Sequence, residues 1–536
     1  MTLSSPEIEA IVKGAAHSDA FSGRARALND IRRLLGVLPG FKFQTTKATP
    51  LALLCAAGTQ FGWSELERNV PANSLASLSA RAKASLRRNL QRDLEWVTQP
   101  CFELERTSFS LAVASLALPG KKSDPRSIEG MFLGDRPSHR LFSLFRKFPV
   151  LVLLWCQLIR QWRTHVKEVL IRFEKDRRSL SRTFFSNRPV GQIVETHFGL
   201  SDRHHSGRTV VRLQFEAGSI IYKPRSGVGE MEWFSLLAWI NRRGFQPAVR
   251  PARVLPREGY CWMEYVAAAF LQSEPAARRF YRRLGGMIAA AHLLKAVDCH
   301  RDNLIASGEH PVLVDADALW HVSPLTETQS PADLLYRTGF FPNANPRSLQ
   351  SRSSALGPGA GNHLPRLGGK RLAATRYQRE IAGGFAQAWR CILGTPRARV
   401  TFARQLQRLR SNERRWIYWA TETYAAIRDA SIQPGALRSA RERKLLIRRR
   451  CARDSVVSGV IDAEVRALEQ LDIPYFVAKT NQRVPPDRSS VPQELVEALR
   501  AALPNPDRRA SPSKLYRSRS DNPLRYVLPP TRFPAE

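Results

Sequence analysis

Asp298-Cys-His300-Arg-Asp-Asn303, followed by Pro311-Val-Leu-Val-Asp315-Ala-Asp317, sets four carboxylates, a carboxamide and an imidazole close together in the chain. An Asp with an Asn five positions later, then an apolar strand ending in another Asp, is how kinase-like enzymes orient an acceptor hydroxyl and hold magnesium. In that chemistry Asp298 accepts the hydroxyl proton, while Asn303 and Asp315 supply the oxygen ligands that hard Mg2+ prefers. Lys223, in IIYKPR, closes the second strand of a hairpin, where an ammonium would neutralise nucleotide phosphates. Met263-Glu-Tyr265-Val lies between them, where a hinge would offer backbone groups to adenine. Each feature alone is weak, because Asp and Asn in loops commonly cap turns and strand lysines are mostly surface residues. Their order along the chain carries the reading. The glycines shortly before Lys223 are Gly207 and Gly218, with no GxGxxG, so the chain is not an ordinary protein kinase.

The elements that would hold these residues follow from periodicity. Residues 1–185 read as mostly helical, with apolar residues at three and four spacing and two long helices across 141–182. Thr209–Phe215 and Ser219–Tyr222 alternate around a short Gly-containing turn, which predicts a hairpin. Met231–Asn241 reads as a helix, Tyr260–Val266 as a buried strand and Phe280–Ala296 as a further helix. Residues 342–369 read as a loop rich in Ser, Gly, Pro and Asn. Helices resume over 377–429, a basic run (RSARERKLLIRRR) occupies 438–450, and the residues from 485 read as a Pro-, Arg- and Ser-rich tail.

Composition narrows the class. The 43% hydrophobic content of 536 residues suffices for a large core and excludes a disordered chain. Eighty-three Lys and Arg against 47 Asp and Glu leave a net charge of +36, which favours an acidic partner. No helix-turn-helix, zinc-finger or RNA-binding aromatic motif accompanies that charge, so no nucleic acid is expected. Seven scattered cysteines show no zinc spacing and read as reduced thiols, so no zinc is expected. The N-terminus lacks a secretory pattern, and the apolar run 149–156 is too short to span a bilayer; a cytoplasmic protein without a membrane span is expected.

The motifs FRKFPVL near 145, SDRHHSG at 201–207, YKPR at 222, YCWMEYV at 260, RRLGGMIAAAHLLKAVDCHRDN and PVLVDADAL occur in the order of a known family. SPADLLYRTGFFP, SSALG at 353 and EVRALEQLDIPYF at 464 continue it. On them the chain resembles the N-terminal dehydratase domain of class II lanthipeptide synthetases, over about 141–481. The resemblance implies an α+β fold with a helical N-terminal region (1–185), a lipid-kinase-type two-lobed core with the ATP site (186–330), an activation-loop-like segment with C-terminal helices (331–484) and the tail (485–536). It implies phosphorylation of Ser and Thr in a precursor peptide with ATP and Mg2+, then loss of phosphate to give dehydroalanine or dehydrobutyrine.

The family's phosphorylation residues match Lys223, Asp298, His300, Asn303 and Asp315; its elimination residues match Asp202, His204, Arg415 and Thr421. His and Arg suit elimination, which needs a base for the α-proton and a cation for the departing phosphate. Asp317 stands where the family usually has Glu, and Trp419 where it has a second Arg. The chain ends soon after the LDIPYF motif, so a free-standing dehydratase is expected, with any cyclase or other tailoring enzyme separate. The basic runs 81–92 and 438–450 are expected to attract an acidic leader of the precursor.

Overall fold

A computed structural model describes residues 9, 11–12, 24–41, 49–116, 130–133, 137–319, 335–342, 353–357, 361–411, 414–454 and 458–478. The tail from 485 and much of the 342–369 loop lie outside them. The chain divides into two units: residues 1–224 with 420–474, and residues 225–419 with 475–536. The fold is helix-rich α+β.

The first unit is built on helices Pro50–Asn69, Ala80–Leu116, Pro137–Lys147 and Pro149–Phe184. The last buries Leu151, Leu154, Leu158, Trp162, Val166, Val169 and Phe173, the three- and four-residue stripe that places one helix face in a core. Gly58 makes room for it: a Cβ there would lie 2.5 Å from the Trp155 ring. Trp155 keeps its indole N–H satisfied by donating to Thr98 (2.8 Å). A three-stranded antiparallel ribbon follows, Glu195–His197 against Val211–Phe215 against Gly218–Lys223. The hairpin is the one the alternation predicts, and Val211, Leu213 and Phe215 face inward. Helices Thr421–Ala430, Ala440–Asp454 and Ser458–Glu469 complete the unit.

The basic run 438–450 has one arginine turned inward. Arg443 within it is buried, donating to the carbonyls of Ser431, Leu468 and Glu469. Burial pulls its pKa down to about 10 against the opposing charge of Glu469. It closes the orphan carbonyls at the end of helix Ser458–Glu469. Arg441, Arg448, Arg449 and Arg450 are exposed.

The second unit contains helix Val228–Arg242, the hairpin Val254–Arg257/Tyr260–Glu264, helix Glu274–Leu293, the hairpin Leu304–Ser307/His310–Leu313 and helix Gln378–Leu393. Helix Glu274–Leu293 begins earlier than its apolar pattern suggests, because Ser273 caps it and Pro275 suits its first turn. Its contact with helix Gln378–Leu393 is backbone to backbone. A Cβ on Gly384 would fall 1.9 Å from the Arg282 carbonyl, whereas one on Gly383 would meet only the far end of the Arg282 side chain at 3.1 Å. Gly384→Ala should therefore lower stability by about 1–3 kcal/mol through overpacking. Gly383→Ala should be neutral or mildly stabilising, and paired denaturant unfolding curves check the contrast.

Arg414–Trp416, inside a stretch that reads as helical, is instead a short strand paired with Phe476–Ala478. Among the described residues no single helix is long and apolar enough to cross a membrane.

Candidate active site

In the second unit the turn after helix Glu274–Leu293 is fixed from both sides. Val297 N–H donates to Ala318 (3.0 Å) and Cys299 N–H to Thr338 (2.8 Å). Asp298, between them, has φ of 67°, a left-handed conformation that Asp tolerates better than most side chains. The next residues form a single 3-10 turn, Arg301–Asn303, capped by the His300 side chain: Asp302 N–H donates to His300 Nδ1 (3.2 Å). Nε2 then faces Asp298 Oδ1 at 3.3 Å. Burial disfavours the charged imidazole, but the hydrogen bond and charge of Asp298, with the charges of Asp302 and Asp315, outweigh it and raise the His300 pKa.

Asn303 turns its Nδ2 to the Asp298 carbonyl (2.8 Å). The hairpin brings Asp315 alongside, since Val314 N–H donates to the Asn303 carbonyl (2.8 Å). Asp315 and Asp317 are gathered by Arg225, which also binds the buried Glu230 at 2.6 Å. Gly229 permits this approach, because a Cβ there would sit 2.3 Å from the Ala316 carbonyl. Arg415 reaches Asp298 Oδ2 at 3.4 Å and Asp317 Oδ2 at 3.9 Å, with its guanidinium 5.4 Å from the Tyr475 ring centre. Tyr475 donates its hydroxyl to Asp317 (3.3 Å). Burial pushes the Asp317 pKa up to about 6, against the pull of Arg225 and Arg415 and with the help of Asp315. For both arginines burial opposes the charge, yet the surrounding carboxylates raise their pKa values.

Four carboxylates, Asp298, Asp315, Asp317 and Glu230, thus face two guanidiniums. That surplus of negative charge, with the hard oxygens of Asn303 and Asp315, fits a magnesium ion that takes one or two protein ligands and completes its shell with phosphate and water. Among the described residues no three His, Cys, Asp or Glu side chains converge as a metal group of their own. Met263 is buried in strand Tyr260–Glu264, and Tyr265 follows it half-buried.

The remaining sequence-derived site residues belong to the first unit. Lys223 ends strand Gly218–Lys223 and is buried. Thr421 is the first residue of helix Thr421–Ala430. Asp202 and His204 lie on the loop 201–207; Asp202 is half-buried beside a cavity of about 220 Å3 shared with Trp96, Trp162, Arg203 and Arg428. Within that cavity Arg203 is paired with Asp93 at 2.8 Å, and Arg428 stacks over Trp96 at 5.1 Å. His204 Nδ1 is 2.7 Å from the Ile473 carbonyl.

Sequence reasoning missed Arg225, Tyr475 and Asp472. Their signal was present, since Arg225 ends YKPR and the other two lie in LDIPYF, but only folding reveals which carboxylates or amides they meet.

The profile of a family described as a domain of unknown function, DUF4135, matches residues 148–362 and 348–479, together more than half of the chain. The chain belongs to the DUF4135 family. This family is found in class II lanthipeptide synthetases, and its span takes in both the 298–317 cluster and the 201–207 loop. The DUF4135 chain is also 24% identical over 189 residues to the lacticin 481/lactococcin biosynthesis protein LcnDR2 of Lactococcus lactis subsp. lactis. That match covers 33% of this chain and 20% of the relative, so the chain spans about a fifth of the length of the relative it matches.

Proposed function

We propose that this chain acts in lanthipeptide biosynthesis as an ATP-dependent dehydratase of Ser and Thr in a precursor peptide, on a kinase-like core. The observation that supports it most is the 3.4 Å approach of Arg415 to Asp298. The cation assigned to phosphate elimination sits against the carboxylate assigned to phosphoryl transfer, as one site serving both half-reactions requires.

In the first half-reaction Asp298 takes the proton of the Ser or Thr hydroxyl as its oxygen bonds to the γ-phosphorus of ATP and the bond to ADP breaks. His300 holds the Asp298 carboxylate in place, and Lys223 compensates phosphate charge. Magnesium held by Asn303 and Asp315 would supply charge neutralisation at the transferring phosphoryl group. Met263 and Tyr265 supply the backbone edge for adenine. In the second half-reaction a base takes the α-proton, the Cβ–O bond breaks, a C=C bond forms and phosphate leaves. We assign the base to His204 with Asp202 beside it in the loop, charge compensation of the leaving phosphate to Arg415, and a hydrogen bond to that phosphate to Thr421.

Coexpression with precursor peptides encoded nearby, read by intact mass, tests the reading. Loss of one water per modified residue is expected; a peptide that only gains HPO3 makes the chain a kinase alone, and an unchanged peptide from every candidate rejects both. Arg415→Ala should shift the product from dehydrated to phosphorylated peptide, because its charge is needed most when phosphate departs. Unmodified peptide from this variant would place Arg415 in the first step instead.

A further inference from the structure

The loop that carries His204 has an unusual backbone. His205, Ser206 and Gly207 have φ values of 47°, 66° and 82°, three successive residues in the left-handed region, two of them not glycine. Such residues are strained and persist only where their surroundings hold them. Successive N–H groups in this kind of turn point to a common side and form a concavity for an anion.

Asp472 fills that concavity. Its Oδ2 accepts from Ser206 N–H at 2.6 Å and its Oδ1 from Gly207 N–H at 2.9 Å, with the side chain buried. Gly207 has no alternative, because a Cβ would fall 2.8 Å from both Gln161 and Arg203. The neighbouring backbone extends the grip: Ile473 N–H donates to the Arg203 carbonyl (2.8 Å), and Gln161 Nε2 donates to the Gln470 carbonyl (3.1 Å). His204 itself is held by the Ile473 carbonyl at 2.7 Å through Nδ1. A carbonyl oxygen only accepts, so Nδ1 carries a proton, and in the neutral ring Nε2 is then the basic nitrogen.

We infer that Asp472 and the Ile473 carbonyl are the positioning groups of His204, locking its loop and selecting the tautomer in which Nε2 is the basic nitrogen. This rests on the dehydratase reading, in which His204 takes the α-proton. Asp472 touches no reacting atom; it acts through the loop backbone. An amide in its place offers one acceptor where two N–H groups converge and turns its own N–H2 toward the other, so the loop loses its hold while the volume stays the same.

Two measurements test this. Long-range proton–nitrogen spectra of the wild-type chain labelled at histidine ring nitrogens, with His204→Gln to assign the signal, should show His204 as the Nδ1–H tautomer near neutral pH. An Nε2–H tautomer or a charged ring overturns the inference, whatever the enzyme's activity. The second uses a precursor carrying preformed phosphoserine beside one with free serine. Asp472→Asn should slow elimination about tenfold or more, within the roughly 10²–10⁴ that a positioned general base contributes. Phosphoryl transfer should change by no more than about twofold, and Asp472→Glu should recover part of the loss. Equal losses in both steps, or none in elimination, overturn the inference; if Asp472→Asn does not fold, the spectra still decide it. Wild-type protein that neither phosphorylates nor eliminates defeats the dehydratase reading instead, and leaves the tautomer result to stand by itself.

Discussion

Asp298→Asn should abolish phosphorylation and dehydration together, with phosphoryl transfer falling about 10²–10⁴-fold, the contribution typical of a positioned general base. The substitution is well isolated. Asn accepts the left-handed backbone that Asp298 adopts at φ 67°, and its carbonyl oxygen can still face His300. What disappears is the negative charge, and with it the proton acceptor. The same loss should lower the His300 pKa, since Asp298 is the leading cause that raises it against burial. The comparison is Asp302→Asn in the same turn, where the side chain is 68% exposed: turnover should change little, and the His300 pKa should fall by less than in Asp298→Asn, because Asp302 raises it less than Asp298 does. Turnover of a precursor by mass, with histidine titration by NMR, reads both effects. Near wild-type dehydration by Asp298→Asn would remove the base from Asp298.

The largest stability effect is expected from Arg225→Met. Its guanidinium is the cation shared by Asp315, Asp317 and Glu230. Truncating it leaves buried carboxylates uncompensated, a loss of about 3–5 kcal/mol where one partner of a buried ion pair is removed. The deficit should depend on pH in a defined direction. Asp317 already has its pKa raised to about 6, and without Arg225 it should rise further. A carboxyl whose folded pKa exceeds its unfolded value of about 3.9 favours the folded state below that value and loses this advantage as pH rises through the folded pKa. Denaturant unfolding should therefore show a smaller deficit near about pH 5 than above neutrality. A pH-independent deficit, or none, would mean that Arg225 is not what keeps these carboxylates charged.

The contrast between Asp298 and Arg225 shows how far the sequence reaches. The long helices read correctly because their apolar stripes recur within one element, and the hairpin ending at Lys223 because its two strands are neighbours in sequence. The cluster 298–317 was legible for the same reason: a turn and one hairpin bring its members together. Arg225 was not, because its role exists only when carboxylates at 230, 315 and 317 meet it in space. The start of helix Glu274–Leu293 was obscured by Arg278, Arg279 and Arg282, which break the apolar pattern over its first turns, although Ser273 and Pro275 marked it. The strand Arg414–Trp416 was hidden by distance, for its partner is Phe476–Ala478, and Arg-Arg-Trp carries no alternation of its own.

The division of the chain has a consequence for how it is made. The first unit is not contiguous: residues 420–474 return to residues 1–224, where Val150 N–H donates to Leu437 (3.1 Å) and Arg428 covers Trp96. A ribosome delivers these parts far apart in time. The carbonyl that holds His204 lies 269 residues further along, so at about 5–20 residues per second the loop waits roughly 15–50 s for it. For most of that interval the nascent chain has its strand lysine and its loop but not the carbonyl that holds Nδ1, and chains interrupted before residue 473 should carry the hairpin without that hold on the histidine. The 201–207 loop would mature late in synthesis.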